Sequence, residues 1–451
     1  MPETELTEHA ASSAPRKRFG RGFARLASGS ALFFSGRLLG AALAYVTQVA
    51  LANWMGDLQF GRYAGAFATC TVVTTICVLG LRDASLRVVG LELANENTGK
   101  ALGFIRRGRQ IVLGGGSAVA LIGAASIWGY SHWTDQPPHW ALITSFLAIP
   151  VFGLLRLQSG HAHAFRRFAL TVLPNTIVRP AAFLAVVAVL WFNDFALGAG
   201  LAMAVHFGVA LIVLGGQSAI LARVLRPQLG GISAEYDTRS WLRISSPLLV
   251  VALASTFDPE VNVTLLGLFR PPEDVAIYWA AWRTAFFIGF GIIAIDSLVL
   301  PSISQLHAAG DVGQVRHLVA QAAMLRFCGG LVGLAALALW GRPLLAFFGE
   351  EFERGYRVLL ILGTAQLVRA GFGPVSELLN VTGRQVASMW VSAAGLALTA
   401  ILFLVLVPAY GLVGASVTVV IVTLLTSLAS HEIVRRSLGV HASILGALRR
   451  R

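Results

Sequence analysis

Residues 31–82 read ALFFSGRLLGAALAYVTQVALANWMGDLQFGRYAGAFATCTVVTTICVLGLR. Two apolar runs, at about 29–53 and 64–85, are separated here by a polar joint at Asn53–Asp57. A helix needs about 20 apolar residues to cross a bilayer, and each run is long enough to do so. Asn, Gly and Asp are typical turn residues. The stretch therefore predicts two membrane-spanning helices joined by a short turn.

The composition extends this prediction to the whole chain. Of 451 residues, 56% are hydrophobic and 13% are charged, whereas soluble domains carry about 25% charged residues. We therefore predict an all-α polytopic membrane protein with about 12 transmembrane helices. The predicted spans are 29–53, 64–85, 109–130, 140–158, 168–191, 197–222, 244–268, 276–300, 319–340, 357–379, 386–408 and 411–434.

The distribution of cations predicts the orientation. With the N-terminus inside, the inner loops, tails and helix edges hold 26 of the 35 Lys and Arg residues, and the outer loops hold five. Cytoplasmic loops are enriched in cations, so both termini are expected in the cytoplasm. The predicted units are a basic tail at 1–27, a six-helix lobe at 28–222, a cytoplasmic linker at 223–243, a second six-helix lobe at 244–434 and a basic tail at 435–451.

A weak internal repeat supports the division into two lobes. Tyr63 precedes the second span and Tyr278 precedes the eighth, 215 positions later. Trp128-Gly129 and Trp340-Gly341 match at an offset of 212. Because each half would contain an even number of spans, the two halves are predicted to be parallel, related by a pseudo-twofold axis along the membrane normal.

Motifs and loops that the sequence lacks disfavour a membrane-embedded sugar polymerase or ligase, an enzyme that uses nucleotide sugars, and an ATP-driven pump. There is no Asp-x-Asp motif, no glycine-rich phosphate loop followed by Lys-Ser/Thr, and no predicted outer loop longer than about 16 residues. The three cysteines form no CxxC pair, so neither a disulfide framework nor a zinc site is expected. No metal site and no cofactor are predicted. The charge of +13 is attributed to topology and to anionic lipid or substrate rather than to nucleic acid. A transporter is favoured over an enzyme.

Four arginines in the middle of predicted spans are the main candidates for binding, namely Arg37, Arg179, Arg283 and Arg369. A central arginine costs about 2.5–3.5 kcal/mol on insertion scales, so these side chains need a wet cavity or a partner. The planar guanidinium group forms paired hydrogen bonds with diphosphate. We predict a cavity for an anionic head group. Salt bridges between helices, for example of Arg283 or Arg37 with Asp258, are the alternative.

Other charged residues have two interpretations each. Asp258 and Glu260 flank Pro259, and either couple transport to a cation or pair with arginines. A second set, Arg82, Arg87 and Arg156, lies at inner span edges. These three either form ion pairs and extend towards the aqueous edge or recruit a head group from the inner leaflet.

The joint Ala52–Tyr63 resembles the connection between the first two helices of polysaccharide-biosynthesis flippases. These belong to the multidrug/oligosaccharidyl-lipid/polysaccharide exporter superfamily and include the Wzx-type O-antigen flippases. The segments from Gly267 to Tyr278, from Phe348 to Phe352 and from Leu379 to Arg384 are similar to corresponding loops of that family. The resemblance covers about residues 28–430.

The resemblance implies a two-lobed bundle that moves a polyprenyl-diphosphate-linked oligosaccharide from the inner to the outer leaflet by alternating access. It implies a bacterial cytoplasmic membrane location, and membrane lipids and polysaccharide polymerase or export components as partners. It assigns the diphosphate to the mid-span arginines. Two alternatives stay open: a cation-coupled multidrug exporter of the same superfamily, and a non-transporting scaffold of a polysaccharide-synthesis complex.

Overall fold

The computed structural model describes the backbone of residues 16–256, 260–439 and 443–444, and side chains from Gly36 onward except those of residues 37, 254–256, 312, 381 and 438. Every regular element in these ranges is helical. The helices are α1 Arg16–Val78, α2 Leu81–Ala94, α3 Thr98–Trp133, α4 Trp140–Ala164, α5 Phe168–Leu173, α6 Arg179–Phe192, α7 Ala199–Leu229, α8 Thr238–Thr256, α9 Asn262–Leu266, α10 Pro272–Ala308, α11 Val312–Ala346, α12 Tyr356–Gly371, α13 Val375–Val381 and α14 Gln385–Leu438. A π turn, Pro174–Val178, joins α5 to α6, and a 3-10 turn, Glu350–Gly355, precedes α12.

Two of the longest helices each cross the bilayer twice because a glycine breaks them. Gly56 in α1 has φ 71° and ψ 168°, and Gly411 in α14 has φ 56° and ψ −133°. Glycine adopts such angles without the steric cost that a Cβ atom brings. The described residues contain eight helical stretches long and apolar enough to span a membrane, two of which contain these breaks. The predicted spans 244–268 and 357–379 overlap α8 with α9 and α12 with α13, which are not among these eight stretches.

The helices divide into two lobes. In the first lobe, α3 packs on α4 and α4 on α7; in the second lobe, α10 packs on α11 and α11 on α12. The crossing of α1 with α10 is the main contact between the lobes, and α2 also packs against α8. The predicted all-α, two-lobed membrane architecture is confirmed.

Aromatic side chains at corresponding positions of the two halves belong to one buried cluster with residues from both lobes. Tyr63 is 2% exposed, and Tyr278 and Trp279 are fully buried. The indole Nε1 of Trp279 donates to Oε1 of Gln48 at 2.8 Å, which ties α10 to α1. This contact holds the lobes in a defined register because a buried indole N–H requires a partner.

The helices run beyond the predicted spans at one end of the bundle. The backbone of α1 is helical from Arg16, inside the predicted tail, and α14 continues to Leu438. A helix satisfies its own backbone hydrogen bonds, so it need not stop at the membrane edge. We call this end, which carries α2 and the loop 230–237, the Arg87 end. The opposite end, which carries Gly56 and the loops 134–139 and 347–355, is the Asp57 end.

Candidate functional site

A cavity of about 480 Å³ lies between the lobes. Its walls come from α1, α2, α4, α5, the π turn, α6 and α7 of the first lobe and from α10 of the second, with Glu260 directly before α9. Its polar and charged lining residues are Tyr45, Thr47, Gln48, Tyr63, Thr71, Thr74, Arg82, Arg156, Ser159, Thr171, Asn175, Thr176, Arg179, His206, Glu260 and Arg283. The cavity is therefore polar although it is surrounded by apolar helices.

The lining of the cavity includes exposed residues at two places. Arg82 is exposed and also lines the cavity, so the cavity opens at the Arg87 end. Phe287 of α10 lines it as well and is 42% exposed on the surface that would face lipid. Its ring lies 4.8 Å from that of Tyr45 in an edge-on contact. The cavity therefore extends to the seam between α1 and α10, where these two rings are in contact.

Contacts between the lobes close the cavity at the Asp57 end. The amide of Asn53 donates to the carbonyl oxygen of Phe347 at 2.6 Å, and Arg354 lies 3.7 Å from the Asp57 carboxylate. A Cβ atom on Gly61 would lie 1.8 Å from the carbonyl oxygen of Pro272, so α1 and α10 cross here at backbone distance. The described conformation is closed at the Asp57 end and open at the Arg87 end.

Four arginines form a ladder along this cavity, from Arg82 at its mouth through Arg156 to Arg179 and Arg283. Arg179 lies 11 residues from the start of α5 and Arg283 lies 11 residues from the start of α10. At 1.5 Å per residue this places each about 16 Å along its helix, near the middle of a hydrocarbon core about 30 Å thick. Cations thus line the cavity from its mouth to the membrane centre.

The local backbone positions Arg179. The π turn Pro174–Val178 ends directly before it, and Pro180 follows in the first turn of α6. π turns widen a helix locally and are frequent at functional sites. The guanidinium carbon lies 4.9 Å from the ring centre of Phe152, and the buried Nε has no hydrogen-bond partner among the described residues. Arg179 therefore keeps hydrogen-bonding capacity beside the cavity.

Arg283 is partly neutralised. Its Nη2 lies 3.5 Å from Oε1 of Glu260, and its guanidinium carbon lies 4.3 Å from the ring centre of Trp279. The 3.5 Å distance exceeds that of a charge-assisted hydrogen bond, about 2.7–2.9 Å. Glu260 is the one acid among the described residues that line the cavity. Of the two interpretations of Glu260, its position beside Arg283 favours pairing with an arginine.

Arg156 was predicted at the inner edge of a span, but its side chain lies inside the cavity. It lines the cavity, and its Nη1 donates to the hydroxyl of Thr75 on α1. It is close enough to Arg82, Arg179 and Glu260 to interact with their charges. Four guanidinium groups face one carboxylate, so the cavity is strongly cationic. A low-dielectric site with an excess of one charge attracts the opposite charge.

The other predicted residues lie elsewhere. Arg87 is exposed on α2 and donates to the side-chain amide oxygen of Gln385. Arg369 is exposed and is not among the residues that line the cavity; its charge acts on Asp296 and Arg326 of the second lobe. The Arg37 side chain and Asp258 lie outside the described residues.

Sequence reasoning did not single out His206 and Tyr63 as a pair. The Tyr63 hydroxyl lies 2.9 Å from Nδ1 of His206 across the first lobe. The imidazole stacks on Phe183, with ring centres 4.5 Å apart, and on Phe67 at 5.1 Å. His206 is a lone histidine within an apolar span, and a buried imidazole needs a polar partner. This pattern could have indicated a buried polar contact at His206.

The chain matches the family model described as "Polysaccharide biosynthesis protein" over residues 26–307, more than half of its length. The chain belongs to this family. A second family model, MatE, matches residues 247–406. The expected membership among exporters of this superfamily is confirmed.

Two relatives in Haloferax volcanii match part of the chain. The probable low-salt glycan biosynthesis flippase Agl15 is 22% identical over 184 residues, 40% of this chain and 39% of that protein. The probable flippase AglR is 24% identical over 160 residues, 35% of this chain and 34% of that protein. The chain thus matches well under half the length of each relative.

The fold is similar to that of solved transporters. The inward-facing structure of a multidrug resistance MATE family transporter of the MOP superfamily aligns with a TM-score of 0.72 at 12% identity, covering 88% of this chain and 94% of that one. At such low identity the likeness shows the two-lobed fold alone.

Proposed function

We propose that the protein is a flippase that moves a polyprenyl-diphosphate-linked oligosaccharide from the inner to the outer leaflet by alternating access. The observation that carries the proposal is the arginine ladder: Arg82, Arg156, Arg179 and Arg283 line one cavity that contains a single described acid, Glu260. The proposal agrees with the two relatives described as probable flippases and with membership of the polysaccharide biosynthesis family.

The physical problem of the proposed cargo fits this cavity. A diphosphate and its sugars have no hydrogen-bond partners in hydrocarbon, so their transfer across it is costly. Fixed cations and hydroxyl and amide groups replace water around the head group. The guanidinium groups bind the diphosphate, and Thr171, Asn175 and Thr176 offer partners for sugar hydroxyls.

The proposed orientation follows the cation bias, with the Arg87 end in the cytoplasm together with both termini. The cargo then enters from the cytoplasmic leaflet, where the cavity is open, and leaves after the contacts at Asp57 have separated. We place the protein in the cytoplasmic membrane of a bacterium, beside polysaccharide polymerase or export components.

Deletion of the gene tests this function. Lipid-linked sugars are extracted from whole cells and from spheroplasts treated with an external glycosidase. We expect a diphosphate-linked oligosaccharide to accumulate in a form that the glycosidase cannot reach, and complementation to remove it. An unchanged lipid pool in the deletion strain would contradict the proposal.

The charge of the cavity also separates the proposal from cation-coupled drug export. A cationic drug would enter a site with four arginines and one described acid, Glu260, and like charges repel. If the deletion strain becomes sensitive to cationic drugs and accumulates no lipid-linked sugar, the exporter function replaces the flippase. Loss of polymer without a protected lipid intermediate would instead indicate a scaffold.

A further inference from the structure

A second cavity, of about 390 Å³, forms a groove on the outer surface of the second lobe, between α10 and α11. Its walls are almost entirely apolar, and Val332 and Trp340 on its rim are 70% and 59% exposed. Such exposure on a helix of this hydropathy places the groove against the lipid chains of the bilayer.

Two glycines keep the groove open. A Cβ atom added at Gly291 of α10 or at Gly329 of α11 would meet no other atom within 4 Å. A Cβ atom at either position therefore displaces no protein, and a larger side chain there would reduce the volume of the groove that both residues line. Gly114 of α3, the position 215 residues before Gly329, is also open and exposed, and it lies in the other lobe.

A buried ion pair terminates the groove towards the Arg87 end. Arg326 is 1% exposed, and its Nη1 donates to the Asp296 carboxylate at 3.1 Å. From Arg326 to Leu344 the lining extends over 18 residues of α11, about 27 Å at 1.5 Å per residue. This length is close to the thickness of the hydrocarbon core, about 30 Å. The groove suits one long hydrocarbon chain rather than a compact ligand.

The groove adjoins the central cavity at Phe287. Arg283, Phe286 and Phe290 of α10 line the central cavity, whereas Ile288 and other residues on the adjacent helix face line the groove. Phe287 lies between these faces and lines both spaces. A lipid whose head group lies among the arginines would reach the groove by passing its chain between α1 and α10 beside this ring, which requires the contact of Phe287 with Tyr45 to separate.

We infer that the groove binds the isoprenoid chain of the cargo while its diphosphate lies in the central cavity. This inference rests on the proposed function and adds a second binding site to it. Since the chain leaves one hydrocarbon environment for another, the gain comes from packing contacts rather than from dehydration. The groove therefore discriminates long chains from short ones, and the arginines discriminate head groups.

The test compares two probes with one head group, undecaprenyl diphosphate and geranyl diphosphate, on the purified protein in nanodiscs. We expect Gly329→Leu and Gly291→Leu to weaken binding of undecaprenyl diphosphate about tenfold and to leave geranyl diphosphate binding unchanged. The probe partitions into the lipid of the disc to the same extent with every variant. The ratio of a variant's affinity to that of wild type therefore reports the contribution of the groove alone. Gly114→Leu is the matched control and changes neither affinity.

The outcomes separate the two claims. Equal affinity of wild type and both groove variants for undecaprenyl diphosphate overturns the groove site and leaves the flippase proposal intact. Failure of wild type to bind either probe overturns both. A photoreactive side chain in place of Val332 should also crosslink undecaprenyl diphosphate, whereas the same group in place of Leu331, which is exposed but outside the groove lining, should not. Crosslinking of phospholipid alone at Val332 overturns the inference.

Discussion

At the residue scale, Arg179 has the geometry expected of a head-group ligand, since its buried Nε has no described partner and it lies at the membrane centre. We predict that Arg179→Ala weakens binding of geranyl diphosphate by about tenfold or more, because a charge-assisted hydrogen bond contributes about 1.5–3 kcal/mol. Arg179→Lys should retain part of the affinity. The exposed Arg342 supplies the control Arg342→Ala, and equal affinities in all three variants would remove Arg179 from the site.

Removing the charge of Glu260 should strengthen binding of the diphosphate, whereas removing the charge of Arg179 should weaken it. Its carboxylate offsets part of the charge on Arg283 at 3.5 Å, so Glu260→Gln should raise affinity for the same probe by up to about fivefold, the range of a partly exposed ion pair. Equilibrium binding at fixed ionic strength measures this. A loss of affinity as large as that of Arg283→Ala would mean that Glu260 holds Arg283 in place, and that the pair acts as one unit.

The sequence predicted part of this site. Mid-span arginines are costly in lipid, which led to Arg179 and Arg283, and both line the same cavity; their binding role stays a prediction. The sequence could not separate them from Arg369, because helical position alone does not define which side of a lobe a residue faces. Arg326, within the predicted span 319–340, was not singled out, although its side chain is buried against Asp296.

At the element scale, the crossing of α1 and α10 is the contact that must open in transport. We predict that Gly61→Ala separates the lobes at the Asp57 end, since its Cβ would lie 1.8 Å from a backbone oxygen of Pro272. Distances between spin labels at Arg62 and Glu353, which are both exposed, measure the separation. Gly65→Ala, one turn along the same helix and 3.9 Å from its nearest neighbour, should leave the distances at their wild-type values.

The apolar runs of the sequence predicted most of the helices. They did not predict where the helices end or where they are broken. The joint Asn53–Asp57 predicted a turn, yet the chain passes it with a single non-helical residue, Gly56. Hydropathy marks where a helix enters lipid, whereas the hydrogen-bond ladder decides where it stops. The π turn at Pro174–Val178 has no distinct sequence pattern beyond its proline.

At the scale of the whole molecule, the cation bias predicts that both termini are cytoplasmic. A fluorescent protein that folds only in the cytoplasm, fused after Arg451, should therefore be bright. The same fusion placed in the loop 347–355 at the Asp57 end should be dark. The reverse pattern would invert the direction of transport proposed above.

Transport of a lipid diphosphate through the arginine-lined cavity can be measured with the purified protein. The most direct measurement reconstitutes the purified protein in liposomes with a fluorescent polyprenyl-diphosphate-linked disaccharide and follows its exposure to an external glycosidase. We predict rapid, complete cleavage with wild type, and protection of the inner-leaflet half with the Arg179→Ala, Arg283→Ala double variant and in protein-free liposomes. Equal protection with wild type and with protein-free liposomes would contradict the account.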